Sequence, residues 1–400
     1  MRVLLLLGTK KGVFLAESDA GRERWELCGP LTSGTWAMYH VAFAPGAEGG
    51  GGSRRRRNVR LYAGGASNWY GPAVWWSDDL GQSWSHSSEG LTYGDDGPEI
   101  TQVWCVVAAH GTLYAGVEPA GLFRSDDGGA TWKHVTGLRR HPSQPEWRPA
   151  AGGLCLHAIV PHASDPLQLW AGISAGGVFY TRDGGETWTR CTAVVDGRAS
   201  APAALHPCVH ALALAPGGSS SRSGAAAGDG PARLYQPAHT ADRTGTVGAA
   251  GDGAARLYQQ NHDGVYRSDD GGRSWCDVSE GLPSRYGFPL VVHPRDPQTL
   301  YVVPLESEVP GRRHVPGGAL AVWRSRDGGA HWQRLAEGLP QERTSFSVLR
   351  GALAVDALEP AGIYLGTTTG QVYWSADEGE RWRALPVRLP PIYSIAARAV

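Results

Sequence analysis

One eight-residue pattern constrains this chain more than anything else in it. SDDGGATW, Ser125 to Trp132, returns as SDDLGQSW at 77–84, TRDGGETW at 181–188, SDDGGRSW at 268–275, SRDGGAHW at 325–332 and SADEGERW at 375–382. A worn copy, SDAGRERW at 18–25, keeps the Ser and the Trp but has Ala20 at the third place and Arg22 at the fifth. Each copy follows a short apolar run (GLFR, GVFY, GVYR, AVWR, QVYW) and opens a second strand-like run after its Trp. That context predicts a hairpin turn. The hydroxyl and the third-place carboxylate can take turn amides, and the glycine supplies a positive φ. The closing Trp suits a wedge between neighbouring units.

The copies start at 18, 77, 125, 181, 268, 325 and 375, so all intervals but one run between 48 and 59 residues. A period of roughly fifty residues is four strands with turns, the size of a propeller blade. The third unit reads QVWCVVAA, TLYAGVEP, GLFRSDDGGATW, KHVTGL; the fourth and sixth repeat that grammar. The first unit lacks an inner strand, and the chain ends in IYSIAARAV (392–400), an inner-strand type with no unit of its own. The sequence therefore predicts an all-β, seven-bladed propeller spanning 1–400 as one domain. Blade one is built from 1–30 plus 392–400, which closes the ring and removes its open edges. Two Gly/Ser-rich stretches, about 46–58 and 217–253, break the period and read as disordered insertions. The second contains GDGPARLYQ, a near-duplicate of GDGAARLYQ at 251–259; the latter runs straight into QQNHDGVYRSDD and is assigned to the blade.

These turns resemble the Asp-box of the BNR repeat family, and the whole chain resembles the sialidase-like propellers often labelled exo-alpha-sialidase. The resemblance implies a glycoside hydrolase or a glycan-binding protein with its pocket on the face opposite the boxes. True sialidases carry an Arg-Ile-Pro motif for the first arginine of a carboxylate-binding triad. Here the early arginines are Arg2, Arg22 and Arg24, without that motif, so no sialidase residue is carried over. Seven blades also resemble the photosystem II assembly-factor propellers, which are binding scaffolds, and the xyloglucanase-type hydrolases.

Composition narrows the function classes. A net charge of −1 gives no field for nucleic acid or an anionic membrane. No apolar run approaches the ~18 residues a spanning helix needs. Six cysteines (28, 105, 155, 191, 208, 276) without a CxxC pair read as free thiols. MRVLLLLGTKKG is too short for a signal core. The expectation is a monomeric cytoplasmic protein whose partner is a glycan-type or small anionic ligand, or another protein.

Several tempting motifs reduce to structure. SDDGG echoes a Ca²⁺ loop but lacks the later bidentate Glu. GISAG (172–176) has strands on both flanks, whereas a nucleophile elbow needs a helix after Ser174. HPRDP (293–297) and PHASDP (161–166) read as capped turns. The blade grammar places a different set on the face opposite the boxes. His40, His157, His210, Arg350 and Tyr393 open inner strands; Trp69, Tyr70, Glu118, Asn261, His262 and Glu306 sit in the loops after second strands. The expected site is a pocket at the channel mouth, with His40, His157, His210, His262, Arg350, Trp69, Tyr70 and Asn261 as ligand contacts. Glu118 and Glu306 are the candidate acid and base, as glycoside cleavage requires two carboxyls. Three histidines with a Glu would suit a transition metal, but they come from separate blades, so no metal and no cofactor is assigned.

Overall fold

The computed structural model describes residues 1–45, 59–149, 152–195, 204–217, 255–306 and 313–400. Nearly all of both predicted insertions lies outside these residues. The described residues form seven sheets, each with an antiparallel run of four strands that in blades two to seven follow chain order from inside to outside. The inner strands are Ile392–Ala399 (blade one), Ala37–Pro45, Gln102–Ala109, Leu156–Pro161, Val209–Leu214, Gly287–Val292 and Leu353–Val355 (blade seven). Each lies beside the next, and Ile392–Ala399 lies between Leu353–Val355 and Ala37–Pro45, so the ring is closed. Closure uses the C-terminal strand as predicted: Ile392–Ala399 pairs antiparallel with Arg2–Thr9, from Val3 opposite Ala399 to Thr9 opposite Ile392. Blade five carries a fifth strand, Ala193–Val194, parallel to Ser274–Asp277. It also takes its second strand, Leu257–Asn261, from the later of the two near-duplicates. The described residues hold two short 3₁₀ turns and no helix long and apolar enough to cross a membrane.

The eight-residue turns earn their recurrence through one hydrogen-bond set. In blade three the Ser125 hydroxyl donates to Asp127 (2.7 Å) and accepts from the Gly129 amide (2.9 Å). The same carboxylate accepts from the Thr131 amide (3.0 Å) and hydroxyl (2.6 Å). The set recurs with Thr181 and Asp183, Ser268 and Asp270, and Ser325 and Asp327. These bonds favour the ionised form, pulling Asp79 and Asp183 down to about 2. Gly129 has φ 103°, which the tight turn requires of its fifth residue. The HPRDP and PHASDP turns are likewise capped: His293 Nδ1 accepts from the Arg295 and Asp296 amides, and His162 Nδ1 from those of Ser164 and Asp165.

The closing tryptophans fill the seams between blades. Trp275 is fully buried with Trp170, Tyr266 and Val178, residues of blades four and five. Trp275→Ala should cost about 3–5 kcal/mol, the range for emptying a buried aromatic site. Denaturant unfolding measures it, and a loss below about 1 kcal/mol would mean the ring is not packing the seam.

Candidate functional site

The inner strands share a local irregularity that sets up the site. In blade two, Met38 is opposite Gly65 and His40 opposite Gly64, so Tyr39 is an extra residue. The same slip leaves Trp104 extra in blade three, His157 in blade four, His210 in blade five and Tyr393 in blade one. In blade six, Phe288 and Pro289 stand opposite Val303 alone. A bulge turns one side chain out of the alternation that would otherwise fix its face. Repeated around a ring, it points a circle of side chains into the channel. The boxes lie at the other ends of the strands: in blade four His157 is beside the Ile173–Gly177 turn, while Thr181 pairs with Leu169.

The result is a cavity of about 390 Å³ lined by Tyr39, His40, Trp104, His157, His210 and Arg350, with Tyr393 and aliphatic side chains completing the wall. Tyr39 stacks on Tyr393 (5.0 Å between centroids) and tilts against Trp104 (4.8 Å). The histidines are held by backbone. His157 Nε2 donates to the Val209 carbonyl (2.7 Å) and His210 Nδ1 to that of Gly287 (2.6 Å), since a carbonyl can only accept. The His40 Nδ1 accepts from the Val106 amide (3.3 Å). Burial lowers His40 to about 4 and, aided by the Arg350 charge, His157 to about 3; His210 falls well below the usual range for the same reasons. All three are neutral near pH 7.

Arg350 is the charge that remains. Its guanidinium sits over the Phe288 ring at 4.8 Å, and its buried Nε has no hydrogen-bond partner among the described residues. Glu118 stands one bond behind the wall: its Oε2 accepts from Trp104 Nε1 (2.8 Å).

Of the predicted residues, the structure brings His40, His157, His210 and Arg350 together, with Glu118 in contact through Trp104. It does not bring Glu306 to the cavity: that carboxylate meets His314 Nε2 (2.9 Å) and the Gly317 amide (2.8 Å). Trp69 and Tyr70 stand 82% and 72% exposed on a hairpin tip, Tyr70 stacked on Trp36. Asn261 is buried and caps its own turn through the Asp263 and Gly264 amides. His262 packs against His210 but does not line the cavity. Tyr39 and Trp104 were missed. Their signal, a bulky residue one place from an expected inward position, becomes visible only with the register of the partner strand. Ser174 is a structural hydroxyl, bonded to the Cys155 amide and the Gly153 carbonyl. All six cysteines are free; four are buried, and Cys28 is exposed.

Residues 179–190, which span the blade-four turn, match the BNR/Asp-box repeat. No curated protein matches the chain. Among solved structures, an ancestral GH74 enzyme is 15% identical with a TM-score of 0.51, over 90% of this chain and 38% of that one. The GH74 enzyme of Niastella koreensis is 15% identical with a TM-score of 0.48, over 98% of this chain and 67% of that one. YCF48 bound to D1 peptide is 15% identical with a TM-score of 0.47, over 81% of this chain and 77% of that one. At such identities the likeness is one of fold. The chain is a seven-bladed β-propeller that carries the BNR/Asp-box repeat.

Proposed function

We propose that the channel mouth binds a small anionic, hydroxyl-bearing ligand of the sugar-acid type. The observation that carries this reading is Arg350, a permanently charged group with a buried, unpartnered Nε in a cavity of neutral rings. A buried guanidinium nitrogen without an acceptor is costly unless a ligand meets it. Tyr39, Trp104 and Tyr393 offer apolar faces for a sugar ring, and the neutral histidines offer nitrogens for hydroxyls. Binding fits better than hydrolysis. Glycoside cleavage takes two carboxyls roughly 5–10 Å apart, and of the two candidates Glu118 adjoins this wall while Glu306 is engaged with His314.

Calorimetry against uronic acids and their neutral counterparts tests the reading. The acids should bind, and Arg350→Gln should weaken them about 10- to 150-fold, the equivalent of about 1.5–3 kcal/mol for a charge-assisted hydrogen bond. Thermal stability should hold, since the substitution breaks no hydrogen bond to protein. Equal affinity for acid and neutral sugar, or an unaffected variant, would refute it. A second reading, a rim that docks a protein, is favoured by the exposed Trp69 and Tyr70. Replacing both with Ala should then abolish capture of that partner without touching ligand binding in the cavity.

A further inference from the structure

Behind the His210 side of the wall, three metal-ligating groups converge. Cys208 Sγ, one nitrogen of His210 and one of His262 all lie within 4.8 Å of one another. The approach is built by the fold. Cys208 directly precedes the inner strand of blade five, and the bulge at His210 turns that ring out of the strand's alternation, so both reach the same spot. His262 comes from the next turn of the same blade, and that turn is fixed by buried Asn261, whose Oδ1 takes the Asp263 (2.8 Å) and Gly264 (3.1 Å) amides.

We propose that Cys208, His210 and His262 form a zinc site. His210 is already in the tautomer a ligand needs. Its Nδ1–H is spent on the Gly287 carbonyl, leaving the Nε2 lone pair free, the usual outer support of a metal-bound imidazole. Neither nitrogen of His262 makes a hydrogen bond within the described residues. The rings are held in place from outside the cluster. Tyr286 meets His210 (5.0 Å) and His262 (5.1 Å) edge-on, and His206 stacks on His262 at 4.5 Å with planes 3° apart. His206 Nδ1 in turn accepts the Cys208 amide (3.1 Å).

One sulfur and two nitrogens, with no carboxylate, select a thiophilic ion of the Zn²⁺ kind over Mg²⁺, Ca²⁺ or Mn²⁺. The Cys208 thiol gives up its proton on binding, and the resulting thiolate offsets one of the two positive charges that the ion brings. Three protein ligands leave the fourth tetrahedral position open.

The test uses the full chain, stripped with a chelator and titrated with Zn²⁺ against a chromogenic competitor, and with Co²⁺ as a spectroscopic substitute. One Zn²⁺ per chain is expected, with a Co²⁺–thiolate charge-transfer band. The band should vanish in Cys208→Ser and survive in Cys28→Ser, which removes the exposed thiol. Cys208 is buried, so His262→Ala, at a partly exposed position, provides a second arm. It should weaken Zn²⁺ at least about 10-fold and abolish the rise in melting temperature that Zn²⁺ gives the parent chain. Arg350→Gln should keep the metal, so failure here and failure of the sugar-acid reading are told apart. No stoichiometric Zn²⁺, Cu⁺ bound in place of Zn²⁺, or a band that persists in Cys208→Ser would overturn the proposal.

Discussion

Deleting residues 392–400 should convert a soluble, cooperatively melting chain into one that aggregates or unfolds at far lower temperature. The strand is the inner strand of blade one, and its loss leaves Arg2–Thr9 with one bare edge. That edge belongs to the run Val3–Leu7, every residue of which is fully buried, so both its amides and its side chains would face water. Ile392 and Ile395 leave a core shared with Leu5, Leu7, Tyr364 and Val372. Burial of two such side chains is worth about 1.5–3 kcal/mol each. The strand also ties blade seven in, through the Ile395 amide to Gly351 (2.7 Å) and the Ile392 amide to Thr367 (3.1 Å). Summed with the exposed edge, the loss reaches the scale of a whole domain's stability, about 5–15 kcal/mol. Scanning calorimetry and sedimentation of the truncated chain give the answer. Restoring the strand as a separate peptide should recover part of the melting temperature. A soluble truncation melting like the full chain would show that closure contributes little.

The closure was legible because two half-patterns at the two ends completed each other, and the blade count because the box chemistry is repeated almost unchanged. Both are local signals that the tertiary structure has no reason to override. The site was legible only in part. His157, His210 and Arg350 could be named because the strand they open was known. Tyr39 and Trp104 could not, because a bulge is a two-against-one count between paired strands and no single strand displays it. Trp69 and Tyr70 sit on a hairpin that continues to Ser67 opposite Gly71, two residues further than its blade-four counterpart, whose last pair is Ile173 with Gly177. At about 3.3 Å per residue that carries the tip out past the mouth. Glu306 lies away from the cavity for a related reason: it pairs with His314 through a bridge. The three-ligand cluster was invisible for want of spacing. Cys208 and His262 are separated by the long insertion, and only pairing of the strands on either side of it brings them together.

The worn box at residues 18–25 is where the ring should be most sensitive to a single change. With Ala20 in place of the carboxylate, the internal bond set is gone, and the Ser18 hydroxyl donates instead to the Arg24 carbonyl (2.5 Å). Arg22 stands where the other boxes have glycine, at φ 57°, a conformation L side chains adopt at some cost. What holds it there lies across the seam in blade seven. Arg22 Nε and Nη2 each donate to Asp356 at 3.0 Å, and Nη2 also reaches the Pro360 carbonyl. Asp356, with a fully buried side chain, further accepts from the Tyr364 hydroxyl (2.6 Å) and from the Leu358 and Gly362 amides (2.9 Å each). The pair is thus a dry clamp between the first and last blades, with every lone pair occupied. The losses from its two halves should not add. Asp356→Ala leaves a buried guanidinium, and Arg22→Gly leaves a buried carboxylate; each should cost about 3–5 kcal/mol, whereas the double variant Arg22→Gly with Asp356→Ala should cost clearly less than the sum of the two, because neither charge is then left alone. In the Arg22→Gly variant, relief of the positive φ offsets only a small part, of order 1–2 kcal/mol. Denaturant unfolding of the two single variants and the double variant completes the cycle. Single variants within about 1 kcal/mol of the parent, or a double variant as unstable as the sum of the singles, would show that the clamp does not hold the seam.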